Sequence, residues 1–184
     1  MRPDGVGVLV SGTGTNLQAL IDAGIPIAAV ASNVADVPAL ERAEAVGAPT
    51  RSFPLAEYPD RDARDEAIAE WLESYGVDLV VCAGYMHLLR LTFLSRFPDR
   101  VVNVHPALLP AFPGAHAVED ALAAGVAETG ATVHLVDDGV DTGRILRQEA
   151  VPVFPQDTPA TLHERIQLVE HRLLPEVVKE LMAA

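Results

Sequence analysis

Leu79-Val80-Val81-Cys82-Ala83 is apolar at every position. So short a run without polar alternation reads as a strand buried on both faces, in the middle of a parallel sheet covered by helices. The residues before it, Asp60–Tyr75, form a charged amphipathic helix with Ile68, Trp71 and Leu72 at core-facing spacing. After it, a short helix near Leu91–Phe97 leads to a strand rich in β-branched residues, Arg100–His105. Toward the amino terminus the alternation repeats. Strands are expected at Val6–Val10, Ile27–Ala31 and, more weakly, Pro49–Phe53. One helix begins near Asn16, and another runs from Pro38 to a C-cap at Gly47. Toward the carboxyl terminus the pattern changes. A helix over Ala117–Ala124 precedes two strands, Ala131–Val136 and Arg144–Val151, separated by the acidic turn Asp137-Asp138-Gly139-Val140-Asp141. A long helix over Pro159–Met182 closes the chain. This order predicts an α/β fold in one domain, residues 1–184: a single doubly wound, mostly parallel sheet with an antiparallel strand near its carboxyl-terminal part.

The 184 residues are 49% hydrophobic and 5% aromatic, so the core must be aliphatic and alanine-rich. A net charge of −13 repels polyanions and argues against DNA or tRNA as the main partner. Small phosphorylated ligands stay open, because a few local donors outweigh the global field. Cys82 is the single cysteine and reads as a small buried filler. Met1-Arg2-Pro3-Asp4-Gly5 leads into a strand rather than a signal peptide, and no apolar stretch approaches membrane-spanning length. A cytoplasmic location is the expectation.

Two loops carry chemistry. Ser11-Gly12-Thr13-Gly14-Thr15-Asn16-Leu17 joins the first strand to the first helix. Its glycines permit close backbone approach, and the helix start supplies unpaired N–H groups. The dinucleotide fingerprint needs a third glycine where Leu17 stands, and no Walker lysine follows. A single phosphate held by Gly14, Thr15 and Asn16 is favoured; the alternative is that Thr15 or Asn16 merely caps the helix. The second loop is Asn103-Val104-His105-Pro106-Ala107-Leu108-Leu109-Pro110-Ala111-Phe112-Pro113-Gly114. Asn103 and His105, two apart on a strand, share one face and could polarise a carbonyl and hold an oxyanion. Asp141 is the third candidate, to orient His105 or relay a proton through water. Read singly, Asn103 is equally a satisfied core amide, His105 a strand-end histidine and Asp141 a turn residue. No serine or cysteine stands beside them, so direct attack by a substrate amine on an acyl carbon is the natural reaction. His116 is expected to pack beneath the site and His134 to be an ordinary strand residue. His163 and His171, eight apart, lack metal-pair spacing, and no metal is expected.

Ser11–Leu17, Asn103–Gly114 and Val140-Asp141-Thr142-Gly143 resemble the phosphoribosylglycinamide formyltransferase family, in order, from about residue 5 to Glu170. The resemblance implies a Rossmann-like formyltransferase fold. It also implies transfer of the formyl group of 10-formyltetrahydrofolate, a co-substrate, to the amine of glycinamide ribonucleotide in purine biosynthesis. By the same likeness Asn103, His105 and Asp141 are catalytic, and Gly14, Thr15 and Asn16 hold the ribonucleotide phosphate. Glu170 matches a glutamate that contacts the glycinamide. Folate would lie against Tyr85, Met86, His87, Leu88 and Leu89 and the loop from Val136 and Asp137 to Asp141, with Arg61 at the folate side. The partners implied are these two small molecules, on a monomer or homodimer. Four positions depart from the family pattern. His87 stands where relatives often carry arginine or lysine, which implies weaker or pH-sensitive binding of an anionic folate tail. Ala107 replaces a frequent serine, Ala111 a basic side chain, and Arg144 a common proline. The rival readings are 10-formyltetrahydrofolate hydrolase, which shares the catalytic loop, and methionyl-tRNA formyltransferase, for which −13 is the wrong charge. A non-catalytic folate- or nucleotide-binding module is the rival of a different class.

Overall fold

The strands that the apolar runs predict assemble into one seven-stranded sheet in the computed structural model, which describes residues 5–184. The reading of Met1–Asp4 as free of a signal peptide lies outside the described residues. The strands are β1 (Val6–Val10), β2 (Ile27–Ser32), β3 (Thr50–Ser52), β4 (Val80–Cys82), β5 (Val101–His105), β6 (Glu128–Leu135) and β7 (Ile145–Pro152). The helices are α1 (Thr15–Asp22), α2 (Pro38–Ala45), α3 (Arg61–Ser74), α4 (Leu91–Leu94), α5 (Ala117–Ala124) and α6 (Pro159–Ala183). A 3₁₀ turn at Leu55–Glu57 was not anticipated from the sequence.

Strand order is β3-β2-β1-β4-β5-β6-β7. The first five are mutually parallel, while β6 runs antiparallel to both β5 and β7. β6 alone therefore runs against the other six strands, the antiparallel strand expected near the carboxyl-terminal part, and it starts at Glu128, three residues before the expected Ala131. Chain order reverses between β1 and β4, which pair directly. At such a switch the loops leaving the two strands diverge to opposite faces, and a crevice opens at their carboxyl ends.

Two apolar layers hold the sheet. Val8, Val10 and Val81 pack with α1, α2 and α6 residues such as Leu17, Ala39 and Leu174 on one face. Leu9, Val80 and Cys82 pack with Ile68, Leu72 and Phe93 on the other. β4 is buried on both sides, as its unbroken apolar run implies. The Cys82 thiol is pushed up to about 12 by burial, so it is an inert filler. On α3, Ile68 and Leu72 face the core with Trp71 partly buried, but the same stripe carries Arg64 and Asp65, both fully buried. Among the described residues, no helix is long and apolar enough to cross a membrane.

Candidate active site

Gly14 is the N-cap of α1 in the left-handed region (φ 76°), with no side chain capping the helix. Thr15 and Asn16 lie inside the first turn, so the reading of either as a cap does not hold. The first helical bond runs from the Gln18 N–H to the Gly14 carbonyl at 2.9 Å, which leaves the N–H groups of Thr15, Asn16 and Leu17 without intrahelical acceptors. Glycine at 14 answers to packing as well as to any ligand. A Cβ there would sit 2.7 Å from Ala39 Cα, where the Ala39 N–H bonds the Gly12 carbonyl at 3.1 Å.

Asn16 reaches across to α6, where its Nδ2 donates to Glu170 Oε2 at 3.4 Å. Glu170 is buried, and desolvation raises it from 4.5 to about 7 despite that bond. Asn16 Oδ1 is buried without a partner, an acceptor that a protonated Glu170 can satisfy. A raised carboxyl contributes stability that is complete below about pH 4.5 and is lost as pH climbs through about 7. The rise is worth about 3 kcal/mol. Glu170→Gln is therefore expected to match the parent in urea unfolding near pH 4.5 and to exceed it by up to about 3 kcal/mol near pH 9. An equal pH dependence in both proteins would contradict a buried, proton-holding Glu170.

The end of β5 places Asn103 and His105 on one face, as their spacing requires. His105 Nε2 donates to the Phe112 carbonyl at 2.8 Å. Phe112 is left-handed (φ 53°), and that turn aims its carbonyl back at β5. His105 Nδ1 faces Asp141 Oδ2 at 3.4 Å. Both ring nitrogens thus face acceptors, and an imidazolium is the form that serves both. Asp141 is itself left-handed (φ 53°), a conformation that aspartate tolerates better than most residues. The Gly114 N–H donates to its Oδ2 at 2.8 Å, tying the acidic turn to the proline-rich loop. Burial pushes the Asp141 carboxyl up. The Gly114 N–H bond and the charge of His105 outweigh it and hold the group below its ordinary value.

His134 is the residue that sequence reasoning missed. Expected as an ordinary strand residue, it lies directly opposite Asn103 in the β5–β6 ladder. Its Nδ1 donates to the Leu135 carbonyl at 2.8 Å. The bare Nε2 then accepts from Asn103 Nδ2 at 3.3 Å and stands 3.5 Å from Asp141 Oδ1. Strand register decides this contact, and a single sequence does not reveal register. His116, expected beneath the site, is instead exposed at the start of α5, because its side chain leaves the turn toward solvent.

These groups line one crevice of about 790 Å³ at the carboxyl ends of β1, β4 and β5. Gly14, Thr15, Asn16 and Glu170 line it together with Asn103, His105, His134 and Asp141. Tyr85, Met86, His87, Leu88 and Leu89, with Val136 and Asp137, line it as well. Met86 and Leu88 are exposed there, an apolar wall without a protein cover. Asp137 spends its Oδ1 on its own turn, accepting from Thr142 Oγ1 at 2.6 Å and the Gly139 N–H at 3.1 Å. Arg61 is the exposed first residue of α3 and does not line the crevice; buried Arg64, a turn later, reaches His87. Arg144 is exposed and outside the lining, as is Ala111. His163 lines the rim from α6, whereas His171 lies outside the crevice. Among the described residues, no cluster of histidine, cysteine and acidic side chains could hold a metal ion.

The sequence and the fold have close relatives. The model of the formyl transferase family matches residues 5–178. A phosphoribosylglycinamide formyltransferase of Mycobacterium tuberculosis is 52% identical over 178 residues, covering 95% of this chain and 83% of its own. The human trifunctional purine biosynthetic protein adenosine-3 is 46% identical over 180 residues, 95% of this chain and 18% of that one. The crystal structure of glycinamide ribonucleotide transformylase 1 from Symbiobacterium toebii superposes with a TM-score of 0.94 at 49% identity, covering 97% of this chain and 87% of that one. A family match along nearly the whole chain, and relatives this similar across it, show that the chain belongs to the formyl transferase family.

Proposed function

We propose that this chain transfers the formyl group of 10-formyltetrahydrofolate to the amine of glycinamide ribonucleotide, a step of purine biosynthesis. The observation that carries the reading is the convergence of Asn103, His105 and Asp141 in one crevice with an uncapped helix start and an apolar wall. Folate supplies an activated formyl group, and a flat ring system suits the wall of Met86 and Leu88. Residues 1–184 act as one domain in this reading, because the crevice draws on elements from β1 to α6.

Each residue then has a task. The free N–H groups at Gly14, Thr15, Asn16 and Leu17, together with the Thr15 and Asn16 side chains, hold the ribonucleotide phosphate at the positive end of α1. Glu170 faces the glycinamide. Asn103 carries two amide hydrogens; His134 accepts one and so orients the other toward the formyl oxygen. That oxygen gains negative charge as the amine nitrogen attacks, which is where a preorganised donor gains most. His105 adds positive charge to the same region while its ring is pinned by the Phe112 carbonyl. Asp141, held ionised, receives the proton the amine sheds through an intervening water and returns it to folate N10 as the bond from the formyl carbon to N10 breaks and tetrahydrofolate leaves.

Thr15→Ala combined with Asn16→Ala tests the phosphate end. Gly14 remains the cap, so the helix start survives. The ribonucleotide KM is expected to rise by about tenfold to a hundredfold, with the folate KM little changed. An unchanged ribonucleotide KM would remove these side chains from phosphate binding.

The reaction itself is tested by following 10-formyltetrahydrofolate with and without glycinamide ribonucleotide. Consumption that requires the ribonucleotide and yields its formylated product is the expected result. Formate release without it would identify a hydrolase, and no consumption at all a binding module.

A further inference from the structure

The wall formed by Tyr85–Leu89 rests on a buried charge that formyl transfer does not use. Arg64 is fully buried on α3. Its Nε and Nη2 donate to Asp65 Oδ1 at 3.1 and 2.8 Å, and Asp65 Oδ2 accepts the Arg90 N–H at 3.1 Å. The remaining guanidinium nitrogen, Nη1, lies 2.6 Å from Nδ1 of His87. Asn33, in the turn after β2, approaches the same ring nitrogen through Nδ2 at 3.4 Å. Its Oδ1 accepts from the Ser11 hydroxyl at 2.5 Å, and that hydroxyl in turn accepts the Met86 N–H at 2.9 Å.

A guanidinium and an amide nitrogen donate and do not accept. His87 Nδ1 therefore meets two donors and has to be bare, which puts the ring proton on Nε2. A second proton, on Nδ1, would point at the guanidinium and set two cations in contact. We propose that Arg64 is a positioning residue that locks His87 as its neutral Nε2–H tautomer, so that this wall offers folate an uncharged hydrogen-bond donor instead of a cation for its carboxylate tail. Only the identity of the ligand rests on the formyl-transfer reading; the tautomer does not.

The groups facing the ring come from three places. α3 supplies Arg64, Asp65 and, from its exposed start, Arg61; the turn after β2 supplies neutral Asn33. The Tyr85 ring stands 6.1 Å away in the same segment as His87. Burial, then the charges of Arg64 and Arg61, hold the His87 imidazole below its ordinary value, and Asp65 alone opposes them. Asp65 is already engaged by Arg64. The pH sensitivity that a histidine at this position implies is thereby moved to lower pH.

Histidine ring ¹H–¹⁵N correlation spectra of the full chain, recorded from about pH 5.5 to about pH 8, report the tautomer directly. The ring signals that disappear in His87→Gln are expected to show a bare Nδ1 and a protonated Nε2 throughout, with a flat folate KM over the same range. Arg64→Met with Asp65→Asn removes both buried charges together and leaves neither unpaired. In that variant His87 is expected to titrate and the folate KM to change at least about fivefold across the range, while the ribonucleotide KM stays put. A parent His87 that titrates there, or carries its proton on Nδ1, would overturn the proposal, and this needs no variant of Arg64. A parent with the stated tautomer but no formyl transfer would overturn the functional reading and leave the lock standing.

Discussion

Asp141→Asn is expected to lower kcat by about 10³-fold or more while ribonucleotide binding persists. The substitution is nearly isosteric, and asparagine accepts the left-handed backbone that Asp141 adopts (φ 53°) as readily as aspartate does. Its side-chain oxygen can still accept the Gly114 N–H, now 2.8 Å from Asp141 Oδ2, so the acidic turn stays docked on the proline-rich loop. What disappears is the negative charge 3.4 Å from His105 Nδ1 and 3.5 Å from His134 Nε2. Both the imidazolium partner and the proton acceptor for the attacking amine go with it. Single-turnover rates with a separate titration of ribonucleotide binding check this. Near-normal turnover would remove Asp141 from the mechanism.

Asn103→Ala carries the second large effect, a fall in kcat of about 10²–10³-fold with little change in either KM. The donor it removes matters where charge develops on the formyl oxygen and little before that. His134 supplies a control. Since its Nε2 accepts from Asn103 at 3.3 Å, His134→Ala should slow the reaction chiefly by freeing that amide. The double variant should then be little worse than Asn103→Ala alone, a coupling readable from kcat in a double-mutant cycle. Strict additivity of the two losses would mean that His134 acts independently of Asn103.

Local pattern revealed much of this molecule. Apolar runs of strand length marked β1, β2, β4 and β5 to within a few residues, because a strand covered on both faces has little use for polar side chains. The spacing of Asn103 and His105 placed both on one face before any tertiary information, since strand geometry alone requires it. The glycine-bearing turn announced a helix start but left open whether Thr15 or Asn16 caps it; the structure has Gly14 there, with no side-chain cap. On α3 the same periodicity misled. Arg64 and Asp65 are in phase with Ile68 and Leu72, yet charged residues read as a solvated face until their mutual pairing is visible.

By itself the sequence determined the α/β alternation and the strand that carries Asn103 and His105, both consequences of backbone geometry acting over a few residues, while the candidacy of Asp141 came from its residue type and the family resemblance. Only the tertiary structure decided that β4 inserts beside β1 and opens the crevice between them. It alone set His134 across from Asn103 and brought Arg64 under His87. These contacts join residues 31 and 23 positions apart. Such pairings depend on strand order, register and the sharing of a buried charge, which are settled by the free energy of the whole packed chain and leave no periodic mark on any one segment.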